Sequence, residues 1–161
     1  MPRPNKREQL LDAALRLFYR DGFHATGIDT VVAEAGVARM TLYKHFRSTD
    51  DLILAALRRR DEQFRAWFLG EVERRAKTPR DRLLAVFDVL EDLYAGRTSE
   101  GRGGRPFSGC AFVKAMAEYS DADSPVHRAA AEHKRMMRDY LERLAGAAGA
   151  IRTVVGQPGG N

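Results

Sequence analysis

Arg39, Thr41, Tyr43, Lys44 and His45 fall within seven consecutive residues of the segment GVARMTLYKHF, residues 36–46. Each is a hydrogen-bond donor, two carry permanent positive charge, and no carboxylate lies among them. Arginine and lysine contact phosphate oxygens and guanine edges. Threonine, tyrosine and histidine donate to phosphate, and the threonine methyl can meet the methyl of thymine. The chemistry this set offers is recognition of a polyanion with base edges rather than bond breaking.

Other chemistry-bearing residues are sparse. Cys110 is the single cysteine and cannot form an internal disulfide. Near a helix start, with Arg105 and Lys114 close in sequence, it could be a thiol sensor; an inert small buried residue is the plainer reading. His127 and His133 stand six apart and do not share a helix face as a zinc pair at i, i+4 would. Nothing supplies a base and orienting group for Cys110, and no glycine motif precedes a helix to cradle phosphate. The sequence therefore predicts no enzyme, no metal and no cofactor.

The elements that must position the donor cluster are helices. Asn5 with Glu8, Thr26 with Asp29, and Ser48 with Asp51 have capping-box spacing, while Thr78-Pro79 and Ser124-Pro125 place a cap residue before a proline at the first helical position. Apolar residues then recur at helical spacing, as in Leu10, Leu11, Ala14, Leu17 and Phe18, or Met136, Met137, Tyr140, Leu141 and Leu144. Strand alternation is almost absent, so the fold class is all-α. Residues 28–35 make two turns before Gly36, and a second short helix starts near Arg39. Two short helices joined by a glycine-containing turn form a helix-turn-helix unit. Val31, Val37 and Leu42 are spaced to pack it together, leaving the donors outward. Residues 96–109, with five glycines, read as a loop.

Composition agrees. The 161 residues are 44% hydrophobic and 30% charged, with net charge +5 and pI near 9.7. Residues 1–47 hold eight Lys/Arg against five Asp/Glu, giving +3 in under a third of the chain. Such a bias suits an anionic partner. No apolar run reaches the ~20 residues of a membrane span, and no secretory leader is visible, so a cytoplasmic location is expected.

The run from Asn5 to Leu57, centred on AALRLFYRDGFHATGIDTVVAEAGVARMTLYKHFRSTDDL, resembles the N-terminal domain of TetR-family transcriptional regulators. The resemblance implies a three-helix DNA-binding head over residues 1–50 and a helical regulatory lobe over 51–150. It implies a double-stranded DNA operator, a small-molecule effector, a homodimer, and most simply repression relieved by that effector. By position, Thr26 would cap the second helix and donate to phosphate. Arg39, Thr41 and Lys44 would face bases or nearby phosphates, Tyr43 and His45 would bind the backbone, and Phe46 would be core. Three departures stand out: Ala38 where a Ser or Thr cap is common, Thr49 where a phosphate-binding lysine is usual, and Val32 where alanine allows a close crossing.

Residues 79–149 resemble the regulatory lobe of one branch of that family, with FSGCAFVKAMAEYSD opening a pocket-lining helix at Cys110. Phe112, Met116 and Tyr119 would join Phe64, Trp67 and Phe87 around an apolar effector cavity; ordinary core packing is the alternative at each position. The resemblance stops near residue 149, where family members continue with two further helices used for pairing. The expectation is an incomplete lobe, a disordered tail over 151–161 and impaired dimerisation. A second reading of the whole is a non-DNA-binding partner of another regulator.

Overall fold

The computed structural model describes residues 5–98 and 107–150. These form seven helices: α1 Lys6–Asp21, α2 Ile28–Ala35, α3 Arg39–His45, α4 Thr49–Arg75, α5 Pro79–Tyr94, α6 Ala111–Glu118 and α7 Pro125–Ala147. The chain divides into two compact units, Met1–Gln63 with Ser108–His133, and Phe64–Phe107 with Lys134–Asn161. The tail over 151–161 and Arg105 lie outside the described residues.

Local chemistry explains where most helices begin. The Asn5 side chain accepts from Arg7 N–H at 3.0 Å, and the Thr78 hydroxyl accepts from Asp81 N–H at 3.1 Å with Pro79 opening α5. Ser48 Oγ accepts from Asp51 N–H at 3.1 Å, while the Asp51 carboxylate reaches back to Arg47 N–H, one residue before the cap. The Thr26–Asp29 expectation needs correction. The cap position of α2 is Gly27, without a side-chain cap, because helical geometry starts one residue later than the spacing suggests. The Thr26 hydroxyl instead donates to the Gly22 carbonyl at 2.6 Å and fastens the α1–α2 turn.

The first unit has one core. Leu10, Leu11, Ala14, Leu17 and Phe18 of α1 meet Val31, Leu42, Phe46, Leu52, Ile53 and Leu57, and Phe112, Ala115, Val126 and Ala130 complete it. In the second unit, Phe68 and Val72 of α4 pack with Ala85, Val86 and Val89 of α5 and Leu144 of α7. Arg75 of α4 pairs with Asp92 of α5 at 2.7 Å and with Glu71 at 3.3 Å, and Arg97 also pairs with Asp92 at 2.7 Å.

Candidate nucleic-acid interface

Helices α2 and α3 are joined by a turn whose geometry follows from one glycine. Gly36 has φ 63° and ψ 35°, the left-handed region in which a side chain is strained. Its N–H donates to Ala33 O at 3.2 Å, and Val37 N–H donates to Val32 O at 3.1 Å, which is the paired bonding of a Schellman motif. Val37 then packs against the core beside Val31 and Leu42, which are buried. Ala38 precedes α3 without a side-chain cap, as its residue type predicts.

With Leu42 and Phe46 turned inward, α3 presents Arg39, Tyr43, Lys44 and His45 to solvent, with Thr41 half-buried between them. The structure thus brings together five of the six residues expected to contact DNA. The sixth, Thr26, is only 5% exposed and its one hydroxyl proton is committed to Gly22. Arg39 Nη1 donates to Asp29 Oδ1 at 3.0 Å, and its guanidinium lies 5.9 Å from the Tyr43 ring centre. The Tyr43 hydroxyl first, and the Asp29 carboxylate second, favour the charged guanidinium and push Arg39 above its ordinary pKa. Sequence reasoning missed the link of Asp29 to Arg39, which spans ten residues, and Met40, an apolar side chain 70% exposed at the second position of α3.

Beside the C-terminus of α3 lies a cleft of about 220 Å³, lined by Arg7, His45, Phe46, Arg47, Asp51, Leu54, Ala55 and Arg58. Arg7 stacks over the Phe46 ring at 5.4 Å, and Arg47 pairs with Asp51 at 3.3 Å. Three guanidiniums around a single carboxylate give this cleft a net positive charge, with the His45 imidazole beside them.

Helix α6 fixes the turn before α2. The Glu118 carboxylate accepts from Phe23 N–H at 3.0 Å and His24 N–H at 2.7 Å, and it pairs with His24 Nδ1 at 3.3 Å. Lys114 reaches the Tyr19 carbonyl at 3.3 Å and sits over the Tyr19 ring at 4.8 Å. The Tyr119 hydroxyl donates to Asp50 at 3.1 Å, while burial first and the Asp50 charge second push that phenol above its usual range.

Phe112 is 3% exposed, stacked 3.6 Å from the His133 ring in the core of the first unit, where Cys110, Met116 and Tyr119 pack at the margin. Phe64 and Trp67 are partly buried and pack against the second unit's core. Phe87 is 65% exposed, because its position on α5 points away from the buried Val86 and Val89 face. Residue type and helical spacing do not say against which neighbour a face packs. His127 Nδ1 lies 2.7 Å from the Tyr119 carbonyl oxygen, and His133 Nδ1 lies 2.6 Å from Asp61 Oδ1. Among the described residues no cluster of His, Cys, Asp and Glu could hold a metal ion, and no helix is long and apolar enough to cross a membrane.

Residues 10–56 match the family described as bacterial regulatory proteins, tetR family. The fold is similar to the TetR-family transcriptional regulator SCO4454 from Streptomyces coelicolor, at 39% identity and TM-score 0.75, covering 88% of this chain and 70% of that one. It is also similar to a tetR-type regulator from Streptomyces avermitilis, at 29% identity and TM-score 0.71, covering 90% and 74%. Among curated proteins, the HTH-type transcriptional activator FasR of Mycolicibacterium smegmatis is 46% identical over 59 residues, 37% of this chain and 27% of that protein. The HTH-type transcriptional regulator AcrR of Shigella flexneri is 30% identical over 122 residues, 72% of this chain and 54% of that protein. The chain thus spans from about a quarter to about half the length of these curated relatives. An exposed donor-rich α3 behind a Gly36 turn, and overall likeness to SCO4454 across most of both chains, place this protein in the TetR family.

Proposed function

We propose that the protein is a sequence-specific, double-stranded DNA-binding transcriptional regulator, acting as a repressor released by a small effector. The observation that carries the reading is α3 itself: Leu42 is wholly buried, while Arg39, Tyr43, Lys44 and His45 face outward on the second helix of a helix-turn-helix. The N-terminal residues of such a helix reach base edges in the major groove. Arg39 and Thr41 read bases, Lys44 contacts a base or the nearest phosphate, and Tyr43 and His45 bind the backbone. Arg7, Arg47 and Arg58 around the neighbouring cleft supply further phosphate contacts, making up for the lysine absent at Thr49. Two copies reading two half-sites give the affinity one head lacks. The effector reading is supported by the Tyr140 hydroxyl in the second unit, buried without a hydrogen-bond partner among the described residues. A bound ligand with a polar group would satisfy it.

A salt titration of duplex binding tests this reading. Affinity for a duplex enriched from a random pool is expected to fall steeply and log-linearly with salt, by ~0.9 in slope per phosphate contacted. Failure to enrich any duplex would reject it.

A further inference from the structure

Asp29 is chemically out of place on a surface that meets DNA. Its side chain is 78% exposed, and an open carboxylate facing phosphates is repelled by them. It stands in the first turn of α2, while Arg39 is the first residue of α3, and the two are joined at 3.0 Å. The contact therefore spans the helix-turn-helix at the end of α3 that reaches base edges. Arginine carries five donors in a rigid fork. Asp29 engages one of them, at Nη1, and Tyr43 lies against the guanidinium with its ring centre at 5.9 Å. The remaining donors are left to address the paired acceptors O6 and N7 of guanine.

We infer that Asp29 is a positioning residue for base recognition, holding the Arg39 guanidinium in the orientation that reads a guanine in each half-site. The inference rests on the DNA-binding reading of α3 proposed above. A carboxylate in this place trades some phosphate affinity for discrimination, since a loose arginine would contact any phosphate or base edge within reach.

The test is selection of bound duplexes from a random pool, with sequencing, using the full chain. Wild type is expected to prefer guanine by roughly tenfold or more at one half-site position. Arg39→Ala should flatten that position. Asp29→Asn and Asp29→Ala should flatten the same position to a few-fold and leave the others unchanged, while Asp29→Glu should retain part of the preference. Thermal midpoints of all variants, expected to match wild type for so exposed a residue, separate this effect from unfolding. If the Asp29 variants bind every duplex more tightly by one common factor with an unchanged motif, Asp29 only repels phosphate and the inference is wrong. If wild type enriches no motif, the DNA-binding reading itself fails and takes the inference with it.

Discussion

Replacing Glu118 by alanine removes the acceptor for the backbone N–H groups of Phe23 and His24, bonded at 3.0 and 2.7 Å. A hydrogen bond to a charged group is worth ~1.5–3 kcal/mol, and leaving a partly buried donor unmade carries its desolvation cost. The Glu118 side chain is 27% exposed, and the His24 amide is open to water, so the lower end applies to that bond. The sum is about 3–4.5 kcal/mol, which for a chain of this size lowers the thermal midpoint by roughly 6–18 °C. Glu118→Gln keeps one carbonyl oxygen and should lose about half as much. The site leaves little latitude, because Gly22 has φ 98° and a Cβ there would stand 3.0 Å from Glu118 Oε1. Urea unfolding gives the magnitude, and amide hydrogen exchange gives the location: Phe23 and His24 should lose protection in Glu118→Ala beyond any global change. A loss under about 0.5 kcal/mol, or unchanged exchange at those two amides, would refute the reasoning.

Three further outcomes are expected. Tyr140→Phe removes a buried hydroxyl without a partner and should raise stability by up to ~1 kcal/mol in urea unfolding; a loss of that size would mean the hydroxyl is satisfied. The guanidinium of Arg74 holds Glu71 below its ordinary 4.5, and Arg97, then Arg75, holds Asp92 below its ordinary 3.8. Depressed carboxylates contribute stability that is fully present above those ordinary values and is lost as pH falls from them through the lower folded-state values. The urea midpoint should therefore drop as pH falls below the ordinary 4.5 and 3.8 of these groups, and drop less in a Glu71→Gln, Asp92→Asn double variant. Arg58→Ala, in the lining of the basic cleft, should weaken binding to all duplexes alike and reduce the salt slope by about 1; an unchanged slope would remove Arg58 from the phosphate contacts.

What the sequence made legible was local. Ser48, Thr78 and Gly36 announce their roles through spacings of one to three residues, and the bonds they make close within the same turn. The outward face of α3 follows in turn, since burying Leu42 and Phe46 leaves few directions for Arg39, Lys44 and His45. Thr26 failed because a one-residue change in where a helix starts reassigns a cap to a turn fastener, and periodicity cannot fix a boundary that closely. Glu118 was invisible because its partners lie about 95 residues earlier, and a surface glutamate on a helix has no pattern that marks a long-range contact. Phe87 and Phe112 have the same residue type, yet one is exposed and the other is core. Helical spacing gives each a face and leaves its neighbour unnamed.

The central claim is that the outer face of α3 reads DNA, and the most direct measurement is amide chemical-shift mapping while an enriched duplex is titrated into isotope-labelled protein. The largest changes are expected at Arg39–His45, at Asp29 and around Arg47, with the α5 amides still. Saturable shifts confined to α5 or α7, with α3 unmoved, would contradict the account.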